Sequence, residues 1–476
     1  MTEQIVASRP VRVTPWARRR ALWRIALRGE ERNYTRGPIK RAVFLLAVPM
    51  ILEMAMESVF AVVDIFFVSR LGADAVSAVG LTEAVATLLY AVAIGISMAA
   101  TAMVARRIGE GNAEGAAVAT AQVLWSGLLA SALVGGAGIF YGHEILALMG
   151  AEQSVIDNGV GYTQILLGGS ITIMYLFLIN AVFRGAGDAT IAMRSLWLAN
   201  GINIVLDPIL IFGLGPFPEM GVAGAALATT IGRGTGVLYQ LWRLFGDQGR
   251  LALKLRHLAL KLDVMRRLLR LSAGGVMQFI IATSAWIGLM RIVAPFGSEA
   301  VAGYTIAVRI IIFTILPAWG LGNAAATLVG QNLGAGQPLR AERSAWLAAR
   351  YNVYFMFCVS ILFIALPHLL IGIFTDAPEV IRHGVDSLRI ISYGYVFFAI
   401  GMVLVQSLNG AGDTDTPTVI NFFCYWVIQI PLAWWLATGL DFGPRGVFWA
   451  VTIAESLLAV VAIWVFRRGR WKLREV

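Results

Sequence analysis

The sequence predicts an all-α polytopic membrane protein with twelve transmembrane helices in two six-helix bundles, related by a parallel internal repeat. Three observations predict it: a composition suited to lipid, a regular series of apolar stretches, and landmarks that return 225 residues later. Of 476 residues, 58% are hydrophobic and 14% charged, whereas a soluble globule carries about a quarter charged residues. Apolar stretches long enough for a helical crossing recur at about 42–68, 77–105, 117–141, 160–183, 190–213 and 220–245. A second set follows at about 267–293, 302–329, 344–371, 385–408, 416–439 and 444–467.

The repeat is read from matched landmarks. Gly185-Ala186-Gly187-Asp188 returns as Gly410-Ala411-Gly412-Asp413, and 410 − 185 is 225. At the same offset, Leu71-Gly72-Ala73-Asp74-Ala75-Val76 matches Phe296-Gly297-Ser298-Glu299-Ala300-Val301, Gly109-Glu110-Gly111 matches Gly334-Ala335-Gly336, and Gly221-Val222 matches Gly446-Val447. Six crossings return the chain to its starting side, so the halves are parallel, about an axis along the membrane normal. The expected division is a basic cytoplasmic tail 1–41, a bundle 42–245, a cytoplasmic linker 246–266, a second bundle 267–467 and a tail 468–476. Duplication in so apolar a chain is the signature of a transporter that moves one half against the other.

Short cytoplasmic loops accumulate Lys and Arg. The N-terminal tail carries Arg18, Arg19, Arg20, Arg24, Arg28, Lys40 and Arg41, the even connections Arg106, Arg107, Arg184, Arg194, Arg340 and Arg343, and the odd connections Glu144, Glu152, Asp157, Asp376 and Glu379. Both termini are therefore expected in the cytoplasm. The net charge of +10 suits anionic lipid at the inner leaflet, and the dispersal of the basic residues among loops argues against nucleic acid. In the linker, 251–262 reads as extended, and Asp263 as the cap of an amphipathic helix lying at the interface before helix 7.

No Gly-Lys-Ser/Thr phosphate loop, Gly-x-Ser-x-Gly elbow, His-Glu-x-x-His helix or histidine pair at metal-ligand spacing occurs, which argues against an enzyme, a bound metal or cofactor, and ATP hydrolysis by the P-loop route. The chemistry is expected in charges buried within the membrane, each costing about 2.5–3.5 kcal/mol on insertion scales. Glu53, Glu57 and Asp64 on helix 1 fall within roughly 40° of one another at about 100° per residue, forming an acidic stripe. On helix 5, Asn200, Asn203 and Asp207 share a face, and Pro208 is expected to bend the helix there. Asp64, Asp207 and Thr229 are expected to meet in the outer half of the first bundle, as a proton or cation site or as a plain hydrogen-bond network. Two carboxylates close together in low dielectric do not comfortably both ionise, so one holds a proton or both share a small cation. Glu53, Glu57, Asn200, Asn180, Gln278 and Gln406 are candidates for a further polar cavity. Adding 225 turns Glu53, Glu57, Asp64 and Asp207 into Gln278, Ala282, Leu289 and Leu432, which confines ion work to the first half. Glu455, whose counterpart is Thr230, is expected to pair with Arg309.

The run from Ala47-Val48-Pro49 to Asp64, Phe183-Arg184-Gly185-Ala186-Gly187-Asp188, Asn203-Ile204-Val205-Leu206-Asp207-Pro208 and Gly221-Val222-Ala223-Gly224-Ala225-Ala226-Leu227-Ala228-Thr229 together resemble the multidrug and toxic compound extrusion (MATE) family over about residues 40–470. The resemblance implies a V-shaped pair of bundles that expels amphipathic, often cationic, compounds in exchange for H+ or Na+. It is closer to the DinF-type branch, whose ion-coupling residues match Asp64, Asn203, Asp207 and Thr229; a sodium ion would sit at the first three. The NorM-type pattern places acids in helices 7 and 10, where this chain has Gln278 and Gln406. A monomeric antiporter of the plasma (inner) membrane is expected, partnered by small amphipathic molecules and lipid. A unit charge entering down ~150 mV supplies about 3.5 kcal/mol. The rival reading is a lipid-linked oligosaccharide flippase, which would need a more cationic central cavity.

Overall fold

The computed structural model describes residues 15–29, 33–246 and 249–476. The remainder of the basic tail 1–41, and residues 247–248 of the linker, lie outside the described residues. Every long element is helical.

An amphipathic helix, α1 (Pro15–Arg28), precedes the first lobe. The lobe consists of α2 (Ile39–Val68), α3 (Ala73–Gly109), α4 (Ala113–Leu148), α5 (Gln153–Gly168) with α6 (Ser170–Ala186), α7 (Ala189–Phe212) and α8 (Gly221–Phe245). The second lobe repeats it with α9 (Leu262–Val293), α10 (Ser298–Gly334), α11 (Pro338–Ala365) followed by the short α12 (Pro367–Gly372), α13 (Pro378–Ser392) with α14 (Tyr395–Gly410), α15 (Asp415–Asn421) with α16 (Ile430–Trp434), and α17 (Pro444–Arg468). The α15–α16 crossing is partly π-wound, over Phe422–Gln429 and Trp435–Gly439. Among the described residues eight crossings are long and apolar enough to span a membrane, and the bent pairs α5–α6 and α13–α14 make ten. Helices α2 and α8 complete the twelve.

The repeated glycines have a backbone cause. Gly72 and Gly297 (φ 99° and 107°), Gly111 and Gly336 (74° and 67°) and Gly187 and Gly412 (94° and 86°) all occupy conformations that side chains with a Cβ rarely adopt. The fourth crossing of each lobe breaks at the same place, at Gly169 and, 225 later, Gly394, with bends of 40° and 59°. Gly185 lies against Thr101 and Gly410 against Ala326, where an added Cβ would stand 2.9 and 2.3 Å from carbonyl oxygens. Small residues let membrane helices approach this closely.

The lobes meet at the end of the molecule that bears both tails. There α3 and α10 cross in a pseudo-twofold contact. A Cβ on Gly109 would stand 2.0 Å from the Gln331 oxygen, and one on Gly334 2.1 Å from the Arg106 oxygen. Thr327 Oγ1 donates to the Arg184 carbonyl (3.1 Å) and Gln331 Nε2 to that of Gly185 (2.9 Å). The segment after α17 forms a strap: Trp471 is buried and stacks on Phe466 at 4.6 Å, Arg474 pairs with Asp413 at 3.1 Å, and Arg106 and Arg107 of α3 donate to the carbonyls of Arg474 and Val476.

Two local expectations are corrected. The amphipathic segment before helix 7 is not a separate interfacial helix capped by Asp263; α9 begins at Leu262 without a side-chain cap and runs unbroken to Val293. The linker is not simply extended: Leu255–Leu258 forms a 3-10 turn, Leu251 and Leu253 are buried, and Trp125 of α4 donates to the Leu258 carbonyl at 2.8 Å. Pro208 lies inside α7, which continues to Phe212.

Candidate functional site

The polar residues of helix 1 cannot face lipid, and the structure distributes them among three buried groups. Nearest the tails, Glu53 Oε1 accepts from Arg184 Nη1 at 2.7 Å and from Asn180 Nδ2 at 3.0 Å, while Gln240 Nε2 donates to Asn180 Oδ1 at 2.6 Å. One turn further, Glu57 accepts from Asn200 (3.3 Å) and faces Arg233 (3.6 Å), whose guanidinium also donates to Tyr90 (3.2 Å) and sits among the rings of Phe60, Tyr90 and Phe177. The acidic stripe is thus divided, because Arg184 and Arg233 claim its first two members. The sequence reading placed Arg184 among loop arginines; Arg184 and Arg233 are both buried ion-pair members.

The third group lies toward the far end. Asn203 Nδ2 donates to Asp207 Oδ1 (3.3 Å) and to Thr229 Oγ1 (3.1 Å), so helices α7 and α8 are joined through it. Asp207 is 0% exposed, and its Oδ2, like Asn203 Oδ1, has no hydrogen-bond partner. Buried acceptors without donors are costly, and a proton or small cation would satisfy them. Asp64 and Asp207 stand within electrostatic reach of each other. Two residues absent from the sequence reading join them: Glu83 of α3 and the buried Tyr162 of α5 both stand within electrostatic reach of Asp64. Glu83 carried a legible signal, an ionisable residue inside an apolar span whose counterpart is Val308; a lone tyrosine carried none.

In the second lobe, Gln278 and Asn409 exchange hydrogen bonds at 3.0 and 3.1 Å, and Asn409 donates to Gln406 at 3.0 Å. Glu455 does not pair with Arg309 as expected: its Oε1 accepts from Tyr425 at 3.1 Å, the tyrosine of the neighbouring π-wound crossing reaching it first. Two cavities adjoin between the lobes. A larger one of about 890 Å³ lies mainly in the second lobe and reaches Arg291 and Ala294 at the far end, and one of about 320 Å³ contains Glu53, Glu57 and Asn180. Ile94, Met98, Phe279, Trp319 and Gln406 line both.

The sequence profile of the MatE family matches residues 49–209 and again 276–435, once per lobe. The chain belongs to the MatE family. It is a membrane transporter and not an enzyme. Among relatives of this MATE protein, a probable multidrug resistance protein NorM of Thermotoga maritima is 29% identical over 456 residues, 92% of this chain and 94% of the relative. An FAD transporter of Shewanella oneidensis is 26% identical over 442 residues, 90% and 95% respectively. An outward-facing multidrug resistance MATE family transporter of the MOP superfamily superposes with a TM-score of 0.87 at 25% identity, covering 94% of this chain and 100% of that one. The twelve-helix, two-bundle architecture is the MATE fold.

Proposed function

We propose that this MATE protein is a secondary multidrug efflux antiporter of the plasma membrane, exporting amphipathic, often cationic compounds in exchange for H+ or Na+. The carrying observation is the Asn203–Asp207–Thr229 cluster with its two unpartnered oxygens, with Asp64 within electrostatic reach. The second lobe holds Leu432 and Leu289 at the positions of the two acids. An ion entering here neutralises the Asp207–Asp64 repulsion and competes with Asn203 for Asp207, which biases the packing of α7 on α8 and thereby the cavity. Residues 42–245 and 267–467 form the moving lobes, with the tails and the 246–266 linker in the cytoplasm. The tail end is then the inner end, and the lobes, closed there, face outward. Glu53, Glu57, Asn180 and Asn200 serve as paired structural groups, and Gln278 and Gln406 border the substrate path. The test is dye or drug transport in proteoliposomes under an imposed ΔpH or ΔNa+. Export should follow one gradient and be abolished in Asp64→Asn and Asp207→Asn proteins that remain monodisperse. Wild-type transport in both variants refutes coupling in the first lobe.

A further inference from the structure

The larger cavity contains a carboxylate with no cation beside it. Of the acids that line the two cavities, Glu53 is paired with Arg184 and Glu57 with Arg233, whereas Glu455 has only the Tyr425 hydroxyl on one oxygen. Arg309 lines the same cavity from α10 but forms no ion pair with Glu455, whose hydrogen-bond partner is Tyr425. A carboxylate so placed, deep among apolar groups in a membrane protein, is costly without a countercharge.

What surrounds it is suited to supply one. The cavity of about 890 Å³ is the size of a drug site, and such sites are mostly apolar with a few placed polar groups. Trp286, Trp319 and Phe398 line it with aromatic rings, Trp286 backed by the buried Tyr304 at 6.2 Å, and Met290 and Met402 furnish adaptable thioethers. Rings attract cations through their faces, and methionine repacks around different shapes. In the first lobe the position of Glu455 is Thr230, whose hydroxyl is turned back to the Ala226 carbonyl at 2.9 Å. The acid is therefore an addition to a scaffold that folds without it.

We infer that Glu455 anchors the positive charge of the transported compound, so that the second-lobe cavity selects monocationic aromatic amphiphiles. This rests on the export reading. The probes are tetraphenylphosphonium and triphenylphosphine oxide, similar in shape but charged and neutral, titrated onto the purified full chain. Wild type should bind the cation, and Glu455→Gln should weaken it by about tenfold, which is about 1.4 kcal/mol, while leaving the neutral probe within a factor of about two of wild type. Glu455→Thr, which installs the first lobe's own residue, should do the same and guards against a misfolded glutamine variant. Equal weakening of both probes, or of neither, overturns the assignment and leaves the export reading standing. Failure of the wild type to bind either probe also overturns the assignment, while the export reading stands or falls on transport under an imposed ΔpH or ΔNa+.

Discussion

Replacing Arg184 with Asn should destabilise the first lobe, and adding Glu53→Gln should restore it. The two positions plus 225 are Asn409 and Gln278, so the same contact is built once from charges and once from amides. Arg184→Asn alone leaves Glu53, which is 0% exposed, with Asn180 at 3.0 Å but no countercharge. Stranding one member of a buried pair costs about 3–5 kcal/mol. At ~2 °C per kcal/mol for a unit of roughly two hundred residues, the lower figure is a loss of about 6 °C. Replacing both members removes the stranded charge, and the second lobe shows that Gln and Asn satisfy each other in this geometry. Thermal unfolding of the purified protein, followed by tryptophan fluorescence and size-exclusion profile, reads the effect. An Arg184→Asn protein that melts within ~1 °C of wild type, or a double variant as unstable as the single one, would refute the reasoning.

Gln278→Ala and Gln406→Ala should lower apparent substrate affinity severalfold while leaving ion stoichiometry unchanged, measured by transport titrations at fixed ΔpH or ΔNa+; altered stoichiometry would move part of the ion site into the second lobe. Pro208→Ala restores the backbone donor that α7 lacks toward the Ile204 carbonyl, and should slow turnover while sparing equilibrium drug binding. Wild-type turnover would show that α7 does not need that free carbonyl to move. Gly109→Ala puts a Cβ at 2.0 Å from a backbone oxygen of the other lobe, so it should shift the population away from closure at the tail end. Spin labels placed on α3 and α10 would report the wider spacing, and an unchanged distance distribution would refute it.

The fold was legible because lipid simplifies the problem: backbone groups must be satisfied within each crossing, so apolar length alone located twelve helices, and glycines at positive φ marked the repeat. Asn200, Asn203 and Asp207 were legible as one face because spacings of 3, 4 and 7 put residues on one side of a helix, whereas Thr229, on another helix, was reached through its depth and the family resemblance. The partners of the buried polar residues were not legible. Whether Glu53 meets Arg184 or a solvent cavity depends on how α2 and α6 are rotated about their axes, and one sequence does not encode that rotation locally. The same reason defeated the Glu455–Arg309 pairing, where the π-wound Phe422–Gln429 segment turns Tyr425 toward the acid. Nor could spacing show that α9 absorbs its amphipathic start, since the same apolar face continues without a break from the interface into the span.

The strap formed by residues 470–476 gives the duplicated molecule an idling side. Two equal halves rocking about a pseudo-twofold axis would have no inherent preference for opening at one end over the other. Here the second half extends a segment under the first, where Arg106 and Arg107 take hold of its carbonyls, and its own Arg340 holds the carbonyls of Tyr34, Arg36 and Gly37 just ahead of α2. Parting the halves at that end means stripping the segment off and rehydrating it, and parting them at the opposite end requires nothing of the kind. A transporter fastened this way should wait open to one side of the membrane when no cargo is present, and each return stroke should begin by unfastening that contact.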